Sequence, residues 1–459
     1  MRRSYGAGSA GLVADNAARL PLRPPRAVRT VAARPRPAPM AAPPGTADAL
    51  PLARSAAPSA APLAAPASVP ASALLPGPER LTSLDAFRGA TIIGMILVNN
   101  PGTWGAIYAP LKHAAWNGWT PTDLIFPFFL FIVGVSTALA FHRALGRGAT
   151  RASLAGKAGR RALWLFGFGV FMAAFPFFTL EDGAVAGRDY GTLRIMGVLQ
   201  RIALCYLGAA LLYLYASRRA RHVTLWALLV GYTLALLFIP VPGAGYPVLN
   251  IPAYTLPAWF DRLVLTKPHL WGGAGKVWDP EGLLSTLPAL GSTLFGIWAG
   301  EVFLSKRTGE AKALLLLLAG VALVVLGYVW DWALPINKSL WTSSYAVFTA
   351  GQALCALGAF YWLIDLKGYR RWAQPLVVYG VNAITVFVMS GIVAKTMSAI
   401  RVPGGEGSAG VPLQKAVFDS VFAPLGPPKL ASLLFALTWI AAWYGVLYVM
   451  YKRETLIKI

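Results

Sequence analysis

The sequence predicts an all-α polytopic membrane protein with about ten transmembrane helices and both termini cytoplasmic. Three observations predict it. Hydrophobic residues make up 56% of the 459 and charged residues only 13%, roughly half the ~25% charged share of a soluble domain. Apolar runs such as residues 91–98, 125–140 and 314–326 recur at intervals, and about 20 apolar residues are what a bilayer core requires of a helix. The net charge is +23, and beyond residue 80 Lys and Arg cluster in short segments between those runs, a mark of membrane topology rather than of binding to RNA or DNA. A cytosolic enzyme is therefore excluded, and no nucleic-acid partner is expected; the partner is the lipid bilayer.

Residues 1–80 stand apart. They hold 15 of the 35 prolines, ten Arg and three acidic residues, with no helical or strand periodicity. Such a segment cannot bury enough apolar surface to offset its ordering entropy, so residues 1–80 are expected to be a disordered basic tail and 81–459 the membrane domain. No apolar h-region follows Arg2 and Arg3, so a cleaved signal peptide is not expected.

Candidate spans then fall near 86–101, 121–142, 160–178, 192–216, 222–239, 282–304, 313–334, 340–364, 374–395 and 430–451. Alternate connections, beginning with that between the second and third spans and ending with the C-terminus, carry 18 Lys and Arg in short segments. The opposite connections are longer and sparser, 102–120 having Lys112 alone. Retained positive charge marks the cytoplasmic side, which puts 102–120, 240–281 and 335–339 on the other side. No internal repeat supports an inverted-repeat transporter. Cys205 and Cys355 lie in apolar runs, so neither a disulfide framework nor a cysteine metal site is expected.

Ionisable groups inside spans are costly, and each is a functional candidate unless a partner explains it. In the first span eleven residues separate Arg88 from Asn99, three helical turns or about 16 Å on one face, and Asp85 joins that face. An Asp85/Arg88 ion pair at the cytoplasmic interface is the simplest reading. The segment 112–123 is the densest polar and aromatic cluster of the chain. Its His113 reads either as an ordinary interfacial residue or as a catalytic one. Thr120 as N-cap, Pro121 at N1 and Asp123 at N3 make a capping-box pattern that starts the second span without any chemistry.

In the fourth span Arg194 and Arg201 are seven residues apart, hence on one face, and Gln200 adjoins the latter. Two like charges on a buried face need an anion, either a carboxylate from another span or a phosphate. Asp279-Pro280-Glu281-Gly282 before the sixth span has the same capping ambiguity as Asp123. His142, His222 and His269 lack metal-ligand spacing, so no metal site is expected. No phosphate-binding Gly-rich loop is present, so a nucleotide-bearing co-substrate would bind between helices.

Leu84-Asp85-Ala86-Phe87-Arg88-Gly89, Val98-Asn99, His113 with Trp116-Asn117-Gly118 and Asp123, and Gly197-Val198-Leu199-Gln200-Arg201 resemble the transmembrane heparan-alpha-glucosaminide N-acetyltransferases and their bacterial NagX-type relatives. Asp279-Pro280-Glu281-Gly282, Asn337-Lys338-Ser339-Leu340-Trp341 and Asn382 continue the match in order over residues 80–459. The resemblance implies an acyltransferase that moves acetyl from cytosolic acetyl-CoA to the amino group of a glucosamine-type sugar or glycan across the membrane. By motif match it implies His113 as the catalytic histidine and Asn99 as its companion; with Asp123 these form the expected catalytic set, and Arg88, Arg194, Gln200 and Arg201 are the expected acetyl-CoA set. Trp116, Asn117, Asp279, Glu281, Asn337, Lys338 and Asn382 then fall to the acceptor.

On that reading Arg88 and Arg201 hold phosphate and Asn99 polarises the thioester carbonyl, a kind of contact worth ~10²–10³ in rate. His113 either removes the acceptor proton or carries the acetyl group. The Ala-, Arg- and Pro-rich tail fits a high-GC bacterium, so the inner membrane and a periplasmic acceptor are expected. The alternatives are an amino-sugar or N-acetylglucosamine transporter and a glycan O-acetyltransferase. The oligomeric state stays open, with a homodimer among the alternatives.

Overall fold

The computed structural model describes residues 81–181, 184–403 and 410–457; the tail at residues 1–80 lies outside them. Helix α1 spans Thr82–Asn99, α2 Ile125–Gly146, α3 Arg151–Ala174, α4 Val198–Tyr215, α5 Arg218–Phe238 and α6 Leu256–Leu265. After these come α7 Thr286–Leu304, α8 Gly309–Asp331, α9 Ser343–Phe360, α10 Gln374–Val381, α11 Ala383–Ala399, α12 Leu413–Val417 and α13 Pro428–Lys452. Two antiparallel hairpins, β1 Phe178–Glu181 with β2 Ala184–Gly187 and β3 Arg401–Val402 with β4 Val411–Pro412, lie in the connections.

A helix stands at each of the ten expected positions, but they are not ten equal spans. Seven are long and apolar enough to cross a membrane: α2 with its leading turn, α4, α5, α7, α8, α9 with its wider final turn, and α13. The pair α10–α11 makes an eighth if it counts as one span bent by 78°. By length and apolar composition α1 and α3 fall outside this set because of their charges, so seven or eight of the ten expected spans are shown among the described residues. Asp85 and Arg88 fall within the 18 residues of α1, while Arg151, Lys157, Arg160 and Arg161 fall within α3.

Helix α7 is the central element, largely buried, whereas α8 and α13 keep most of their apolar surface outside, as lipid-facing helices do. Small residues allow the tightest approaches. A Cβ at Gly134 of α2 would fall 2.0 Å from the Thr293 carbonyl of α7, and one at Gly296 2.0 Å from that of Phe131. Gly89 of α1 and Gly380 of α10 meet in the same way, with 1.7 Å to the Leu376 oxygen and 1.9 Å to that of Asp85. The core between α2, α7 and α9 is aromatic, with Trp341 set edge-on to both Phe126 and Tyr345.

Candidate functional site

The start of α2 is built locally. A helical turn at Pro121–Leu124 precedes it, and the capping box expected of Thr120 and Asp123 is present. Asp123 Oδ2 accepts from Thr120 N at 3.0 Å, Thr120 Oγ1 at 3.1 Å and Ala114 N at 3.0 Å. Its other oxygen, Oδ1, lies 2.6 Å from His113 Nδ1. Capping and histidine pairing thus coexist in one carboxylate, whose side chain is 1% exposed while that of His113 is 51% exposed. A carboxylate on Nδ1 holds the proton there and leaves the Nε2 lone pair outward.

The connection between α8 and α9 supplies the third group. Lys338 Nζ lies 3.0 Å from His113 Nδ1, 3.1 Å from Nε2 and 3.8 Å from Asp123 Oδ1. The buried Asn337 fixes its backbone: Asn337 donates from Nδ2 to Asn117 Oδ1 at 3.1 Å and accepts at Oδ1 from Leu340 N at 2.9 Å. Gly118 N donates to the Ile336 carbonyl at 2.7 Å, which stitches this connection to the His113 segment. Gly118 has φ +90°, a conformation open to glycine and strained for other residues. Trp116 donates to the Leu249 carbonyl and Asn117 to Asn250, both at 2.9 Å. Trp116 also packs edge-on to Trp278, a residue with no helical pattern or charge to single it out in sequence.

Behind His113 lies a buried charge cluster. Arg194 donates to both oxygens of Asp279, at 2.8 and 2.5 Å, and to Glu281 at 2.5 Å. Arg201, fully buried, donates to the Gly282 carbonyl at 2.9 Å and to Ser285, with its guanidinium over the Trp341 ring at 5.1 Å. The expectation that Arg194 and Arg201 share a helical face is corrected: Gly197 is fully extended as the cap of α4, so Arg194 precedes the helix. Both arginines still converge on residues 279–285, where carboxylates and a carbonyl meet them. Asp279 and Glu281 thus serve Arg194 rather than a helix cap. Gln200 is buried against Gly169 and Gly197.

Burial lifts the Asp279 carboxyl above the usual carboxylate range despite Arg194. Burial works the same way on Glu281, but the positive charges of Arg194, Arg201 and Lys338 outweigh it and hold Glu281 below that range. Burial pushes Lys338 down, against the pull of Glu281 and Asp123. Asp261 of α6, buried beneath the same cluster and accepting from Leu283 N at 2.8 Å, is pushed up to about 7 by burial.

A cavity of about 420 Å³ runs between α1, α2, α3, α4 and α11. Its polar wall is Arg88, Ser136, Thr137, Arg161 and Tyr206, and the rest is aliphatic and aromatic. Arg88 donates to Asp85 at 3.0 Å, as expected, and also to the Gly380 carbonyl at 3.2 Å and Ser136 Oγ at 3.0 Å. Arg161 lies over the Tyr206 ring at 5.2 Å; sequence reasoning treats it only as a topology charge. Asn382, at the α10–α11 break, donates to the Thr455 carbonyl at 3.3 Å and accepts from Ile457 N at 3.4 Å. Ile457 and residues on either side of Asn382 line this cavity, which sets Asn382 apart from the His113 cluster. Asn99 is exposed at the end of α1. From Asp123 to Ser136 is thirteen residues, or about 20 Å along α2.

These features define a polytopic helical membrane protein with a half-exposed histidine–carboxylate pair on one side and a cavity whose Arg88–Ser136 end stands about 20 Å away along the same helix. The chain belongs to the family described as "Heparan-alpha-glucosaminide N-acetyltransferase, catalytic", whose profile matches residues 80–336. Heparan-alpha-glucosaminide N-acetyltransferase of Homo sapiens is 32% identical over 359 residues, covering 68% of this chain and 52% of that protein. The Mus musculus protein of the same name is 29% identical over 359 residues, covering 68% and 53%. The chain spans about half the length of the curated relatives it matches.

Proposed function

We propose that this protein transfers acetyl from acetyl-CoA to the amino group of a glucosamine-type sugar, with donor and acceptor entering from opposite sides of the membrane. The observation that carries the proposal is the pairing of His113 with Asp123 in a chain of this family. The arginine-walled cavity suits the donor: guanidinium groups at Arg88 and Arg161 match phosphate, and the apolar wall matches a pantetheine arm. Arg194, bound by Asp279 and Glu281, and Arg201, which donates from Nη2 to the Gly282 carbonyl and Ser285 while its Nε and Nη1 meet no protein acceptor among the described residues, stand at the acceptor-side backbone instead.

In this reading His113 Nε2 takes the proton from the acceptor nitrogen, with Asp123 orienting the ring. Asn99 polarises the thioester carbonyl. Trp116, Asn117 and the Asn337 turn shape the acceptor wall. The 18 Lys and Arg of alternate connections support a reading with the termini and the donor on the cytoplasmic side of a bacterial inner membrane and His113 on the periplasmic side. A buried carboxylate on a half-exposed histidine favours chemistry over plain transport, which needs no general base.

The test is purified protein with labelled acetyl-CoA and a panel of glucosamine, muropeptide-derived sugars and glucosamine oligosaccharides. N-acetylated sugar is the expected product. O-acetylated product would replace amine by hydroxyl as the acceptor, and uptake without acetylation would replace the enzyme by a transporter.

A further inference from the structure

Asn382 stands beside the donor-side cavity, and no step of the transfer uses its side chain. What it holds is the chain that follows α13. Glu454 N donates to the Tyr451 carbonyl at 3.2 Å and Thr455 N to that of Met450 at 2.9 Å, the paired bonds that close a helix through a left-handed residue. Glu454 is that residue, with φ +54°. The helix therefore stops at Lys452, and residues 455–457 leave it without helical or strand structure. There Asn382 Nδ2 donates to the Thr455 carbonyl at 3.3 Å, and Ile457 N donates to Asn382 Oδ1 at 3.4 Å. One side-chain amide, donor and acceptor both, thus grips the backbone at two points.

Ile457 lines the cavity together with Arg88, Gly380, Val381 and Ala383. Arg88 donates to the Gly380 carbonyl at 3.2 Å, two residues before Asn382, so residues 455–457 lie at the Arg88 end. That is the end assigned to the donor's phosphates. A nucleotide is wide and charged where a pantetheine arm is thin and apolar, so the end that takes it has to open widest. We infer that residues 455–457 are a strap over this end of the donor cavity, latched by Asn382, and that acetyl-CoA enters and leaves by its release. The inference rests on the donor reading of the cavity.

The two sides of the latch differ in what fixes them. The Asn382 carbonyl accepts from Val386 N at 3.1 Å in the first turn of α11. Just before it, Gly380 packs so closely on α1 that a Cβ there would fall 1.9 Å from the Asp85 carbonyl oxygen. The strap is held more loosely. Both its bonds to Asn382 are longer than the usual 2.7–3.2 Å of an N–H···O contact, and Ile457 is 54% exposed. Release breaks two long hydrogen bonds and uncovers little apolar surface, while the Asn382 side stays in place.

Two substitutions loosen the latch from opposite sides. Asn382→Ala removes both partners, and Ile457→Pro removes the N–H that donates to Oδ1 while leaving Asn382 intact. Association of acetyl-CoA labelled in its adenine is timed by rapid mixing with the intact protein in detergent, without acceptor. Dissociation is timed by a chase of unlabelled acetyl-CoA. Both variants are expected to raise both rates by about fivefold or more, the worth of a net hydrogen bond, with Kd changing less than either rate. Should Asn382→Ala fail to insert, Ile457→Pro decides alone, because it lies beyond the last helix. Unchanged rates in both variants overturn the strap and leave the donor cavity standing. Faster dissociation with unchanged association makes residues 455–457 a fixed wall and overturns the gate. A change confined to Asn382→Ala traces to the α10–α11 break and overturns the latch. A wild type that binds no acetyl-CoA overturns the donor reading of the cavity and the strap with it.

Discussion

The Nδ1 of His113 meets Asp123 Oδ1 at 2.6 Å, and the same carboxylate caps the helix that enters the core behind it. Folding of the turn and orientation of the imidazole are thereby one event.

Asp123→Asn separates the two roles. The amide oxygen still accepts from the cap, but an amide NH₂ facing Nδ1 selects the other tautomer and turns the Nε2 lone pair into a donor. Turnover is expected to fall by ~10² or more with a small loss of melting temperature. Asp123→Ala, which also removes the cap, should cost about a further 1 kcal/mol. Steady-state rates and thermal melts on the three proteins check both statements.

The donor and acceptor sides should fail differently. His113→Ala is expected to lower single-turnover acetylation by ~10² while acetyl-CoA binding persists. Arg88→Ala should weaken that binding by about tenfold or more, since it removes a charged phosphate partner. Arg201→Ala should act on folding, because the carbonyl of Gly282 and the carboxylates nearby lose a buried counter-charge at a cost of ~3–5 kcal/mol. Binding isotherms, single-turnover assays and melts in detergent separate the three. Weak acetyl-CoA binding by a fully stable Arg201→Ala would return that arginine to the donor site.

How much of this was legible in sequence follows from range. The start of α2 was legible because Thr120, Pro121 and Asp123 are neighbours whose cap is local. The Asp85/Arg88 pair is one helical turn apart and was legible for the same reason. Lys338 and His113 are separated by 225 residues, and no local pattern reports such a contact. Arg194 reads as helical in sequence because Ile195 and Met196 continue an apolar run; its two carboxylates lie 85 and 87 residues on. Asn382 matched a motif, yet a motif carries no direction, and the bend there turns it to the backbone of Thr455 and Ile457.

Asp261 gives the protein a pH-dependent stability with a defined sign. Its folded-state carboxyl is raised to about 7 from 3.8, so the folded protein binds the proton more tightly. The resulting stability is fully present below the unfolded value and is lost as pH rises through about 7. Asp261→Asn, which mimics the protonated form, should therefore melt higher than wild type at about pH 8, with the gap narrowing by about pH 5. Melting curves across that range check it, and parallel curves for the two proteins would contradict it.

Membrane sidedness is open to labelling. A single cysteine at Lys112 should react with an impermeant maleimide from the periplasmic face of intact cells, and one at Arg307 only after the membrane is opened. The reverse pattern would invert the protein and put His113 on the cytoplasmic side.

The turn Pro121–Leu124 and α2 run on as one span that carries both Asp123 and Ser136, the residues that touch His113 and Arg88. α2 is in that sense a gauge: the interval between anchor and reacting point is set by backbone hydrogen bonds and does not adjust to the occupant. Fragments of the donor that keep the thioester but lack the phosphates would reach the same point without being held there. One residue inserted between Asp123 and Ser136 would turn the two ends of the gauge about 100° out of register, disabling transfer while leaving every side chain of both sites intact.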